Sequence, residues 1–424
     1  MKIESVRGMN DLLPEASAKW HRVESAARRT FAAFGYREVR TPIIESTELF
    51  VRSVGETTDI VEKETYTFTD RNGKSLTLRP EGTAGIVRAY IESNRHTVEP
   101  VSKWFYVGPM YRHERPQKGR YREFFQIGAE AFGSDDPWID AEQLALVAEI
   151  LAAVKTPGVE LRLNSLGCAT CRPLYRATLT RFLDGVADRL CGDCQRRSAT
   201  NPLRTLDCKN PGCIEATASA PTTIEVLCDA CRIHFAGVQA GLADSGVSFV
   251  LEPRIVRGLD YYTHTTFEFV ATLGDVGAQN TVCGGGRYDG LVAALGGPAV
   301  PGVGFAFGIE RLVSLIADDD ADKQTPLIFF ATMGDAAARF AHRALATLRR
   351  TSIAAECDYG TKSLKAQLRR AGALGAIFVA IVGDTEVGRN VVQLKNMASG
   401  EQTEVDVSSG LDALRARLTD TAHL

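Results

Sequence analysis

The sequence predicts an α+β protein in three parts: a discontinuous sheet domain at residues 1–166 and 254–317, a helical insertion at 167–253, and a small α/β domain at 325–424. Three observations predict this. Short strands and helical stretches mix up to about residue 166, yield to an Arg-, Cys- and Asp-rich helical segment, and return with many glycines at 254–311. Residues 104–112 and 122–131 read as two strands joined by the loop 113–121. The apolar runs 327–332, 354–359 and 376–382 alternate with helical stretches 336–350 and 363–371, which gives a small parallel or mixed sheet.

A chain of 424 residues exceeds one compact core and fits two or three domains. Lys2, Glu4, Arg7, Asp11 and Glu15 interrupt the apolar positions of its first thirty residues, and no apolar run is long enough to span a bilayer. A soluble, cytoplasmic protein without a membrane partner is expected. The formal net charge of −3 argues against indiscriminate nucleic-acid binding but leaves room for local basic patches.

In chain order, helix 16–34 comes first. Leu76-Thr77-Leu78-Arg79-Pro80-Glu81-Gly82-Thr83 then reads as a strand turning into a helix, with Pro80 suited to a first helical turn and Glu81 near its positive end. Glu81 and Thr83 serve either as caps or as a grip for a cationic ammonium group. The strand pair follows. Alternation puts Phe125, Ile127, Ala129 and Ala131 towards a core, and Phe124, Gln126 and Glu130 along an open surface where Gly128 leaves room for a ligand. An aromatic ring, an amide and a carboxylate on one rigid strand suit a small polar ligand beside a flat base; a solvated face is the alternative. The connecting loop carries Arg112, Arg115, Lys118, Arg120 and Arg122 against Glu114 and Glu123. Guanidinium groups bind phosphate oxygens bidentately, so this loop suits nucleotide phosphates or an RNA backbone.

Helix 140–154 leads into the insertion, where six cysteines form the pairs Cys191/Cys194, Cys208/Cys213 and Cys228/Cys231. Two C-x-x-C knuckles in one small segment are a usual way to build a thiolate zinc site, so these six are candidate structural zinc ligands, with Cys168/Cys171 a further candidate pair. Buried thiols acting as small apolar residues are the alternative. Beyond the insertion, Arg257-Gly258-Leu259-Asp260-Tyr261-Tyr262 packs a cation, a carboxylate and two phenols together. The glycine runs at 284–290 and 302–308 allow close approach of a backbone or ligand, and Arg311 begins a helix. Neither run matches a Walker A loop or a dinucleotide fingerprint. The polar stretch 317–325 reads as a linker.

Together these segments resemble the three signature motifs of class II aminoacyl-tRNA synthetases: Phe34 to Glu45 with Pro42, Met110 to Glu130, and Gly302 to Leu312. Arg79-Pro80-Glu81-Gly82-Thr83, the Arg112 to Arg120 loop and the Arg257 to Tyr262 segment resemble the histidyl-tRNA synthetase family in particular, as do Arg7-Gly8-Met9-Asn10-Asp11 and Pro202 to Asp207. The resemblance spans essentially the whole chain. It implies a class II antiparallel sheet flanked by helices, a C-terminal anticodon-binding domain, and a homodimer with Pro42 at its interface. It implies L-histidine, ATP with Mg2+, and tRNA(His) as ligands. By the same resemblance Glu81, Thr83 and Gln126 bind the histidine ammonium, Glu130 and Tyr262 bracket the imidazole, and Tyr261 belongs to the same pocket. Arg112 meets the ATP α-phosphate, Arg120 and Arg311 the outer phosphates, with Glu114 beside them and Phe124 and Arg311 on either side of adenine. Arg257 and Arg112 are the implied catalytic groups, and Gln117, Lys118 and Arg120 reach the tRNA acceptor end. The rival is a non-catalytic histidine-sensing paralogue, such as the regulatory subunit of ATP phosphoribosyltransferase; the C-terminal domain and the arginines argue against it. A class II ligase for another amino acid is disfavoured by Glu130 with Tyr262, since two polar partners suit an imidazole.

Overall fold

A computed structural model describes residues 3–55, 58, 60–117, 119–255, 259, 261–273, 280–319, 325–360 and 362–420. It divides into two compact units, Met1–Asp318 and Asp319–Leu424.

The first unit opens with α1 (Pro14–Ala33), whose proline sits in the first turn and whose apolar stripe buries Trp20, Val23, Ala26, Ala27 and Phe31. After β1 (Arg37–Glu38), a small antiparallel sheet forms from β2 (Ile44–Ser46), β3 (Tyr66–Thr69) and β4 (Ser75–Leu78), with α2 (Thr47–Val54) between its strands and α3 (Thr83–Glu92) after them. The main sheet adds β5 (Ser102–Tyr111), β6 (Glu123–Phe132), β7 (Val159–Ser165), β8 (Phe249–Leu251), β9 (Thr263–Ala271), β10 (Thr281–Arg287) and β11 (Gly302–Gly308). Its eight strands run in the order β1-β5-β6-β11-β10-β9-β7-β8. Only the two edge pairs, β1–β5 and β7–β8, are parallel. The antiparallel centre agrees with the expected class II sheet.

Helix α4 (Pro137–Ala153), whose first turn is capped by the Asp136 carboxylate on the Trp138 amide, packs with α1 on one face. That face holds the core: Phe31 stacks on Phe105 at 4.3 Å, and Ile127, Ala129, Leu161, Leu163 and Phe267 lie beneath the helices. Each such buried Phe, Leu or Ile contributes about 1.5–3 kcal/mol. Consigning Ile127 and Ala129 to this layer turns Phe124, Gln126 and Glu130 to the opposite face, as strand alternation predicts.

The segment 167–253 is helical, as expected, in α5 (Cys171–Asp184), α6 (Gly192–Thr200), α7 (Pro211–Ala216) and α8 (Asp229–Asp244). Its boundary differs. Phe235, Val238 and Leu242 of α8 lie in the main core, and β8 pairs with β7 as the sheet's edge. Only α5 to α7 have a core of their own, built on Tyr175, Leu179, Leu183, Leu190 and Leu206.

The second unit comprises β12 (Ile328–Met333), α9 (Asp335–Arg350), β13 (Ala355–Cys357), α10 (Leu364–Ala373), β14 (Phe378–Gly383), α11 (Asp384–Gly388), β15 (Val391–Asn396), β16 (Gln402–Asp406) and α12 (Asp412–Asp420). Strand order is β13-β12-β14-β15-β16, the first three parallel and the last two antiparallel, so the sheet is mixed. The β15–β16 hairpin lies beyond the strands legible in the sequence.

Candidate active site

The face opposite the helices has a floor of small residues. Across it, Gln126 pairs with Gly308, Gly128 with Ala306 and Glu130 with Gly304, while Gly284 and Gly286 continue the floor on β10. Glu130 explains one of these glycines, since a Cβ at position 304 would stand 1.6 Å from its carboxylate. Glu130 is fully buried, and its two oxygens accept from the hydroxyls of Thr83, at 2.8 Å, and Tyr288. Burial pushes its carboxyl up to about 8, against the opposing effect of those hydrogen bonds, and nearby Glu81 adds to the rise. A carboxyl so shifted holds its proton to higher pH than an exposed one.

Glu81 takes the capping role of the two that the sequence allowed. Its carboxylate accepts from the Thr83 and Ala84 amides at 2.7 and 2.9 Å, capping the start of α3. Burial nevertheless raises its carboxyl, with those amides working against the shift. The helix begins at Thr83, so Pro80 lies ahead of it and not in its first turn. Gln126 offers a different signal: among the described residues its amide oxygen is buried without a hydrogen-bond partner. Such an orphan acceptor costs free energy until a donor arrives.

Gly128 corrects an expectation. It makes room for the buried ring of Tyr106, not for a ligand; a Cβ there would lie 2.3 Å from that ring, and one at Gly82 would lie 2.2 Å from it. The sequence reading missed Tyr106, which acts through its cross-strand register with Gly128, and Tyr288, which reaches Glu130 from 158 residues away. Tyr288 stands in the Gly-Arg-Tyr-Asp-Gly stretch after β10, where its phenol could have been noticed. Tyr261 and Tyr262 complete an aromatic wall, with centroids 4.7 Å apart and Tyr261 5.6 Å from Tyr288.

Beyond Gln126 the floor opens into a cavity of about 860 Å³ lined by Arg112, Glu114, Arg120, Phe124 and Arg311. The Arg112 guanidinium lies 5.2 Å over the Phe124 ring and donates to the Pro80 carbonyl at 2.9 Å. Arg120 is ion-paired with Glu114. Arg311 donates to the carbonyls of Gly119 and Thr281 at 3.2 and 2.8 Å, and burial, then the charges of Arg120 and Arg112, lower its pKa. Three guanidinium groups facing one cavity create a demand for anionic oxygens. At the tip of the Arg112 to Arg120 loop, Gln117 is exposed and pairs through its backbone with Arg120. Lys118, Arg257 and Asp260 lie outside the described residues.

The cysteines also correct the sequence reading. The six expected ligands do not form one site: Cys191, Cys194, Cys208 and Cys213 meet each other, whereas Cys228 and Cys231 meet Cys168 and Cys171. The reason is topological, because α8 returns to the sheet beside the point where β7 leaves it.

Residues 328–417 match the family model of the anticodon binding domain. A chain that joins such a domain to this sheet and its cation-lined cavity is an aminoacyl-tRNA synthetase. Residues 8–172 and 196–312 match the family model of histidyl-tRNA synthetase. The histidine–tRNA ligase of Syntrophotalea carbinolica is 51% identical over 405 residues, covering 96% of each chain. That of Trichlorobacter lovleyi is 52% identical over 409 residues, covering 96% of this chain and 97% of its own. Apo histidyl-tRNA synthetase from S. aureus superposes with a TM-score of 0.81 at 38% identity, over 98% of this chain and 100% of that one. The chain belongs to the histidyl-tRNA synthetase family. A Bacillus halodurans structure described as an ATP phosphoribosyltransferase regulatory subunit/histidyl-tRNA synthetase shares the fold, with a TM-score of 0.66 at 20% identity over 90% of this chain and 99% of that one. Fold alone therefore does not separate ligase from regulator; the identity to full-length ligases does.

Proposed function

We propose that this protein activates L-histidine with MgATP to histidyl-adenylate and pyrophosphate, then transfers histidine to the 3′ end of tRNA(His). The observation that carries this reading is the continuity of one strand face: buried Glu130, orphaned Gln126, then Phe124 at a cavity faced by Arg112, Arg120 and Arg311. In this reading Glu130 and Tyr262 hold the imidazole, Tyr261 helps wall its pocket, and Glu81, Thr83 and the Gln126 oxygen accept from the ammonium. A histidine carboxylate oxygen then attacks the α-phosphorus, the bond to the β-phosphate breaks, and pyrophosphate leaves. Arg112 and Arg257 neutralise the charge that develops, and Arg120 and Arg311 hold the outer phosphates. Phe124 and Arg311 sandwich the adenine. Arg257 is permanently charged and does not act as a base. The 3′-hydroxyl of the terminal adenosine next attacks the adenylate carbonyl and AMP departs. Magnesium enters with ATP, and Glu114 and Glu268 are carboxylates of the cavity wall able to meet it. Gln117, Lys118 and Arg120 meet the tRNA acceptor end, and the second unit reads the anticodon.

The test is ATP–pyrophosphate exchange with each of the twenty amino acids, on the full chain and on residues 1–318. Both should exchange with histidine alone, and only the full chain should charge tRNA efficiently. Exchange with another amino acid, or full charging by the truncated chain, would refute the corresponding assignment.

We also propose that the protein is a cytoplasmic homodimer. On the small sheet, Ile44, Leu76, Leu78 and Phe68 share one face by register, and Ile44 and Phe68 remain 46% and 43% exposed. Neighbouring Ile43 is exposed as well, directly after Pro42. An uncovered apolar face of this kind marks an interface. Sedimentation should give twice the chain mass, and Ile44→Asp should give the chain mass; a wild-type monomer would remove the dimer. No helix among the described residues is long and apolar enough to cross a membrane.

A further inference from the structure

Eight of the ten cysteines converge in two sets of four, each with all its sulfurs within 4.8 Å of one another. We propose that each set holds one zinc ion as a tetrathiolate, and that the first of these ions positions Tyr262, the residue just before β9.

The distances select a metal over a disulfide. In the first set the sulfurs of Cys168 and Cys171 are 3.7 Å apart, Cys168 and Cys228 3.9 Å, and Cys171 and Cys231 3.7 Å. In the second set Cys191 and Cys208 are 3.9 Å apart. A disulfide requires about 2.05 Å. Zinc–sulfur bonds of about 2.3 Å in a tetrahedron place sulfurs about 3.8 Å apart.

The surrounding amides repeat in both sets. The amide two residues after a ligand donates back to it, from Thr170 to Cys168 and from Asn210 to Cys208, each at 3.4 Å. A second amide comes from the opposite pair, from Cys228 to Cys171 and from Cys191 to Cys213, each at 3.1 Å. Amides aimed at sulfur favour the thiolate, which is the form that binds metal. Small apolar thiols filling a core would need neither this convergence nor these donors. The α5–α7 core itself includes Cys194 and Cys213, so a metal there staples a thin layer.

The first set lies against the start of β9, next to Tyr262. His264 stands at a positive φ of 48°, locked by hydrogen bonds from the Leu166 amide to its carbonyl at 2.7 Å and from its amide to the Gly167 carbonyl at 2.9 Å. Its ring faces Cys231 at 3.7 Å and Asp289 at 3.8 Å. Arg172, next to Cys171, donates to the Tyr262 carbonyl at 3.3 Å. Loss of this metal would free the start of β9 on two sides. The sulfur hydrogen bonds of the second set join residues of α5–α7 and their connections, and Cys208 of this set also lines the wall of the cavity of about 860 Å³.

Metal analysis of the full chain purified without chelator should find two zinc ions per chain, one for each set. Cys171→Ser and Cys194→Ser should each leave one. Cys171→Ser should raise the histidine KM about tenfold or more while leaving the ATP KM nearly unchanged, and Cys194→Ser should leave the histidine KM in place. If a variant does not fold, cobalt loaded into the wild-type chain should titrate two sites with thiolate-to-metal charge-transfer bands. Fewer than two bound ions, iron in place of zinc, or eight freely titrating thiols in the folded chain would overturn the sites. Two ions in the wild-type chain, with one ion left and an unchanged histidine KM in Cys171→Ser, would overturn the positioning role. That role rests on the proposed histidine pocket, whereas the stoichiometry does not: two zinc ions in a chain inactive with histidine would fault the pocket alone.

Discussion

Glu130→Gln should lower kcat/KM for histidine about 10- to 100-fold in pyrophosphate exchange and leave the ATP KM in place, since leaving a buried polar group without its partner costs about 1–3 kcal/mol. The change is nearly isosteric, but of the Thr83 and Tyr288 hydroxyls only one keeps an oxygen to donate to, while the other meets the amide NH2 and turns to accept from it. A pH signature accompanies it. The carboxyl ionises near 4.5 when unperturbed and near 8 in the folded protein. Between those values the folded state keeps a proton that the unfolded chain has released, so wild-type stability declines as pH rises through that window. The glutamine variant lacks this slope, and its melting temperature should fall less over the same range. Equal slopes together with an unchanged histidine KM would reduce Glu130 to a structural residue.

Arg257→Ala should slow adenylate formation about 100- to 1000-fold, the usual cost of removing one group aimed at transition-state charge. Histidine binding, followed by calorimetry, should remain measurable because the lost interaction is strongest in the transition state. Exchange within a few-fold of wild type would reject the assignment. Were Arg257 only a partner for Asp260, melting temperature would fall and the rate per folded molecule would not.

Much of this site was legible because a strand repeats with period two. Phe124, Gln126 and Glu130 could be assigned one face from the apolar character of Phe125, Ile127 and Ala129 alone. Register was not legible. Whether Gly128 faces a ligand or the Tyr106 ring depends on which residue of β5 lies opposite, and the Tyr288 bond to Glu130 closes a separation of 158 residues. The β15–β16 hairpin escaped for another reason: Gln393, Lys395, Gln402 and Glu404 break up its apolar positions, and Val392, Leu394 and Val405 join the core beside β14.

By itself the sequence determined the α+β class, the helical segment between two halves of one sheet, the basic loop, and the C-x-x-C pairs. All of these rest on contacts within a few turns or one strand pair. Only the tertiary structure decided that α8 belongs to the main core, that Cys168 and Cys171 join Cys228 and Cys231, and that Glu130 is buried enough to hold its proton. Each of those depends on segments far apart in the chain excluding water from one place, and neither partner selection nor desolvation is encoded in local pattern.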